Sequence, residues 1–228
     1  MRQPAELSAA VGSSGESADA DADARDESAS QSVDEPAHEA HDDTALEYWR
    51  DIVLRDPSDV NARRRLARVF ELRGDSMLAV EQLEAARAVQ PENLELIVEL
   101  ANANIGLRRF DAAERDLRRA LRFQPDYAPV HLALGVVSFR RGLYAQAEQE
   151  LRRSLELNAE SADAYFYRGE ALNKLNRVDE ALDMLLRATQ LQPDNARAYY
   201  VMGILYDKKS RSSEAAAMYR KAREVGPA

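Results

Sequence analysis

Cysteine is absent from the 228 residues, tryptophan occurs once and histidine three times. Without thiols there is no disulfide framework, no thiolate zinc site and no cysteine nucleophile. Long apolar runs are missing too, and nothing approaches the roughly 18 residues of a bilayer-crossing helix, so no membrane partner is expected. The opening MRQPAELSAAVGSSGE lacks the basic head and apolar stretch of a secretory leader. These absences predict a soluble, cytoplasmic protein. His38 and His41 form H-x-x-H beside Asp42 and Asp43, but in a polar segment with nothing to preorganise them, so no metal is expected there. The glycine-rich phosphate signatures and the G-x-S-x-G nucleophile turn do not occur. Carboxylates alternate with arginine, as in AAERDLRRALR, which reads as a solvated helical face of near-neighbour ion pairs. No catalytic residue and no cofactor is expected.

Charge, by contrast, is plentiful and unevenly placed. Residues 1–43 hold twelve acids against Arg2 and Arg25, whereas the remaining 185 residues are close to neutral, with 28 acids and 29 bases. The segment has no aromatic residue, and its only larger aliphatics are Leu7, Val11 and Val33. Burial cannot offset its ordering entropy, so 1–43 is predicted to be disordered, either a solubilising arm or a charge-driven interaction tail.

The body repeats. Pro57, Pro91, Pro125, Pro193 and Pro227 stand 34 or 68 residues apart, with Ala159 at the skipped place. Ala79, Ala113, Ala147, Ala181 and Ala215 keep the same step, as do Leu83, Leu117, Leu151, Leu185 and Tyr219, and Ala86, Ala120, Ser154, Ala188 and Ala222. Five units follow, 60–93, 94–127, 128–161, 162–195 and 196–228, and a fixed period of this size signals a repeat architecture. Within each unit the apolar residues recur at helical spacing on both sides of a polar turn, which predicts two helices. Gly135, Gly169 and Gly203 in the first helices let two helix axes approach, and Gly74 and Gly142 suit the turn. Upstream, Ala45, Trp49 and Ile52 continue the second-helix ladder, so 44–57 is read as an N-terminal capping helix with Trp49 half-buried.

These residues resemble the tetratricopeptide repeat family, whose pattern is Trp–x2–Leu–Gly–x2–Tyr, then Ala–x3–Phe–x2–Ala, then Pro. The last unit matches best, with Tyr199, Met202, Gly203, Tyr206, Ala215, Tyr219, Ala222 and Pro227. Departures are Arg63 and His131 at the tryptophan place, Ala101 at the glycine place, and Asn104 and Ser138 at the second tyrosine place. His131 is read as a packed ring rather than a base. The resemblance implies an all-α, right-handed solenoid of five helix–turn–helix units, without catalytic activity, whose first helices line a concave groove for a partner segment.

A second stripe runs along each first helix opposite the core stripe, and the resemblance places it in that groove. It offers Arg64 and Arg68 in the first unit, Val98, Asn102 and Ile105 in the second, and Leu132, Val136 and Phe139 in the third. Phe166 and Asn173 follow in the fourth, and Tyr200 and Ile204 in the fifth. A solvated face would be charged throughout, so this stripe is expected to bind a protein or peptide partner. The alternative is that curvature packs these residues between adjacent first helices. No lysine stands on the stripe, so the lysine–asparagine–arginine carboxylate grip of some family members is incomplete. Nucleic acid is not expected, because the body is near neutral and Arg63, Arg64, Arg65, Arg68 and Arg73 are spread around a helix. The function expected is a non-enzymatic scaffold or adaptor, with a monomer favoured over an oligomer. The alternative is a structural subunit assembled through the solenoid ends.

Overall fold

The computed structural model describes residues 43–226, which form eleven α-helices and no strand. A lone helix, α1 (Asp43–Arg55), precedes five antiparallel pairs. The pairs are α2 (Val60–Leu72) with α3 (Ser76–Val89), α4 (Leu94–Gly106) with α5 (Phe110–Phe123), and α6 (Ala128–Arg140) with α7 (Tyr144–Leu157). Next come α8 (Ala162–Lys174) with α9 (Val178–Leu191), and α10 (Ala196–Lys208) with α11 (Ser212–Val225). The result is the expected all-α, right-handed solenoid. The expectation for the acidic segment falls outside the described residues, except that Asp43 opens α1 and takes a 2.7 Å ion pair from Arg73. His38, His41 and Pro227 also lie outside them.

The helix ends keep the 34-residue period. Asp59, Asn93, Ser161 and Asn195 each accept a hydrogen bond from the backbone N–H three residues on, capping the first helices of four repeats. The third repeat has Tyr127 at that place and Pro129 inside the first turn, where a missing N–H costs nothing. Each first helix then closes in the same left-handed turn. The N–H of Gly74 bonds to Glu71 O and that of Asp75 to Phe70 O, and the pattern recurs in every repeat. The turn demands a positive φ, supplied by Gly74 and Gly142 but also by Arg108, Asn176 and Ser210 at φ near 60°.

Packing inside a repeat depends on the glycines of the first helix. A Cβ on Gly135 would lie 2.5 Å from Leu151 Cγ, and one on Gly169 would lie 2.8 Å from Leu185 Cγ. Three of the sequence departures, Arg63, Asn104 and His131, are absorbed by hydrogen bonds. Asn104 is buried and its amide donates to Leu100 O at 3.1 Å. Arg63 donates from Nε to Pro57 O at 2.8 Å and from Nη1 to Gln82 at 2.9 Å. Two periods on, the buried His131 repeats this arrangement, its Nε2–H donating to Pro125 O while Nδ1 meets Glu150, both at 2.8 Å. A polar side chain at the tryptophan place thus bridges the preceding proline turn to the second helix. At the N-terminal end α1 covers the first repeat. Ala45 is buried, Leu46, half-buried Trp49 and Val53 pack against the first core cluster, and the Arg65 guanidinium lies 6.0 Å from the Trp49 ring.

Candidate functional site

The first helices carry two faces. In α6, Ala133, Leu134 and Val137 are buried, and the neighbouring stripe of Leu132, Val136 and Phe139 is only half-buried. The same holds in α4, where Leu96, Ile97, Leu100 and Ala101 form core and Val98 and Ile105 remain partly open. Where α4, α6 and α8 face a common space they line an open depression of about 730 Å³. Its floor holds Val98, Ile105, Phe110, Leu132, Val136 and Tyr167. Asn102, Arg108, Pro129, Arg140 and Asp163 also line it, and all five are exposed.

The structure therefore gathers five of the stripe residues, Val98, Asn102, Ile105, Leu132 and Val136, around one depression. The others lie elsewhere. Phe166 departs from the expectation of an open position, being only 4% exposed. The Arg197 guanidinium lies 4.8 Å from its ring centroid and also pairs with Glu170 at 2.7 Å, so a residue of the next repeat covers it. Between repeats four and five the alternative of packing between first helices is what the geometry delivers. Arg64 is likewise committed within the protein, forking onto Glu99 at 2.9 and 2.5 Å and reaching Glu95 at 3.3 Å, whereas Arg68 stays exposed beside Glu71. Phe139 is absent from the depression and packs near the rings of Tyr144 and Tyr167, at 5.7 and 6.0 Å. Asn173 accepts a hydrogen bond from Lys208 at 2.7 Å. Tyr200 is exposed and meets the Tyr219 ring at 5.6 Å, next to half-buried Ile204.

Electrostatics separate the two stretches of the stripe. Glu170 occupies the place held one repeat earlier by Val136. Burial pushes its carboxyl above the usual carboxylate range, against the pull of Arg197, Lys174 and Arg140. On the core side, Glu148 of α7 is buried between Arg152 and Arg168, at 2.6 and 2.9 Å. Burial pushes Glu148 up, but the hydrogen bonds and charges of those two arginines outweigh it and hold its carboxyl below the usual value. Arg168 belongs to the following repeat, so this ion cluster ties repeat three to repeat four.

Sequence reasoning missed Arg108, Phe110, Arg140 and Tyr167 as lining residues, because none stands on the chosen stripe. A signal for Arg140 was present: Arg140, Lys174 and Lys208 occupy one place of three successive repeats and are all exposed. Among the described residues no group of three or more His, Cys, Asp or Glu is arranged to hold a metal ion. No helix among them is long and apolar enough to cross a membrane.

Comparison with known proteins agrees with this architecture. A family model described as tetratricopeptide repeat matches residues 43–93, 98–159, 132–196 and 174–228. The chain is similar to the solved structure of MamA, at 23% identity over 70% of this chain and 94% of that one, with a TM-score of 0.58. It is similar to TTC0263, a thermophilic TPR protein of Thermus thermophilus, at 23% identity over 74% and 92%, with a TM-score of 0.66. It is also similar to YrrB, described as a TPR protein with an unusual peptide-binding site, at 22% identity over 80% and 94%, with a TM-score of 0.53. At these identities the likeness is one of fold. No curated relative matches the chain.

Proposed function

We infer that this chain, which belongs to the tetratricopeptide repeat family, is a non-enzymatic, cytoplasmic adaptor that holds an extended peptide or a helix of a partner protein in the depression between α4, α6 and α8. One observation carries the reading. Apolar side chains from three successive first helices form a floor that the protein itself leaves partly open, and polar side chains edge it. An apolar centre with a polar rim is the anatomy of an interaction surface. The unusual peptide-binding site of YrrB lends support by analogy of fold.

The depression is open rather than closed, which suits a chain segment running across several helices better than a small molecule enclosed on all sides. Val98, Leu132 and Val136 would take apolar side chains of the partner, and Asn102 and Arg140 would hydrogen-bond its backbone and polar groups. Selection of a random displayed peptide library on the full chain tests this. The expected result is a set of peptides sharing spaced apolar residues, whose binding falls about tenfold or more in the Val98→Glu variant, because charge enters a desolvated contact. Failure to select any peptide, or binding indifferent to Val98→Glu, would contradict the reading.

A further inference from the structure

The 34-residue period lets the last repeat be compared, place by place, with the one before it. In repeat four, Phe166, Leu185 and Ala188 are 4%, 0% and 0% exposed. They share one buried cluster with Ala198, Val201, Met202 and Leu205 of α10, the first helix of the next repeat. One period on, the same places are Tyr200, Tyr219 and Ala222. Here Tyr200 is 55% exposed, the other two are half-buried, and together with Ala196, Arg197 and Arg223 they line an open depression of about 690 Å³. The outer face of α10 and α11 thus has the apolar surface of a helix slot, with no helix in it among the described residues.

Charge narrows the occupant. Repeat five carries seven bases against three acids, a net of +4, whereas the four preceding repeats come to +1, 0, 0 and −2. Arg220 and Arg223 have no ion pair among the described residues. A symmetric pairing of two such ends would set arginine against arginine. The opposite end of a second copy fits poorly too, since the apolar face of α1 is already occupied, with Leu46, Trp49 and Val53 packed against the core of its own first repeat.

We propose that the α10–α11 end is a docking site for an amphipathic helix of a partner protein, with apolar residues spaced as in Ala198, Val201, Met202 and Leu205 and with carboxylates along its flank. The carboxylates would meet Arg220 and Arg223, and the apolar stripe would cover Tyr200, Tyr219 and Ala222. The surface is separate from the groove between α4, α6 and α8 and does not depend on it.

The probe is a stapled helical peptide copying α10, with its stripe kept and the substitutions R197E, Y200E and K208E, titrated against the full chain by fluorescence anisotropy. Saturable binding is expected. It should weaken about tenfold or more in the Tyr200→Glu variant of the full chain and in the Arg220→Glu/Arg223→Glu variant, where charge removal alone is tested. It should also weaken as salt rises from about 50 to about 500 mM and stay unchanged in Val98→Glu. Absence of binding, or equal binding by both end variants, overturns the proposal. Loss in Val98→Glu overturns it by moving the helix into the groove, which would leave the groove reading intact. Sedimentation velocity covers the remaining case: self-association of the chain that Tyr200→Glu abolishes would make a second copy the occupant and overturn the partner helix.

Discussion

The second stripe of the first helices is built from the same places in repeats three and four, yet the two stretches behave differently. In repeat three, Leu132 and Val136 stand half-open over a shared depression. In repeat four, Phe166 is buried beneath Arg197, and Glu170 takes the place of Val136 and pairs with that same arginine. The difference comes from the following helix. The residue one period before Arg197 is Asp163, which lines the depression and makes no ion pair among the described residues, whereas Arg197 has both a ring and a carboxylate to fold onto. A stripe residue's exposure is thus decided one repeat away from it.

The largest expected effect tests that contrast through stability. Phe166→Ala should cost about 3–5 kcal/mol, the range for deleting a buried aromatic side chain. Leu132→Ala should cost less, about 2 kcal/mol, because that side chain is only partly buried against its core cluster. Urea titration of both variants reads the difference, and equal losses would erase the contrast. A middle-sized effect sharpens it by locating where the repeats do not differ. Gly135→Ala and Gly169→Ala each force a Cβ against a buried leucine, so both should cost about 1–3 kcal/mol in the same titration. A marked gap between them would mean that the two repeats differ in their cores as well as along the stripe.

The smallest effect is electrostatic. Because burial raises the Glu170 carboxyl, the folded state favours its protonated form. That contribution is fully present below the ordinary value of the unfolded chain and is lost as pH rises through the raised folded one. Glu170→Gln should therefore match or exceed the wild-type melting temperature at neutral pH, and lose ground to it as the pH falls toward 4.5. Glu148 has the opposite sign: its stabilising contribution is present above the usual carboxylate value and lost as pH falls through its lowered one. Glu148→Gln should accordingly destabilise at neutral pH, with the deficit narrowing in acid. Melting curves of the two variants across that range check both signs.

Much of the fold was legible because it is periodic. Proline, alanine and leucine ladders mark the second helix of each repeat, apolar residues at helical spacing mark the first, and the capping helix followed from extending the same ladder to Ala45 and Trp49. The lining of the depression was legible only in part. Val98, Asn102, Ile105, Leu132 and Val136 were found by helical angle, which is a property of one helix. The fates of Arg64 and Phe166 depend on Glu95, Glu99 and Arg197, each 31 or 35 residues away, and no angle within a helix reports them. A search for oppositely charged pairs close to one period apart would have found the Arg64 fork. Phe139 lies outside the depression for a related reason, since its ring packs near Tyr144 across the turn and Tyr167 in the next repeat.

The central claim is that one face of α6 is free to bind while the face beside it holds the solenoid together. Val136→Glu and Leu134→Glu place the same charge two residues apart on that helix. The measurement is the unfolding free energy of each variant in the full chain, paired with its affinity for a peptide selected on the wild type. The account predicts that Val136→Glu stays within about 1 kcal/mol of wild type and loses the peptide about tenfold or more. It predicts that Leu134→Glu, at a place only 2% exposed, unfolds the repeat and destabilises its neighbours. If Val136→Glu unfolds as Leu134→Glu does, the stripe is core; if it folds and keeps the peptide, binding lies on another surface. Either result contradicts the account.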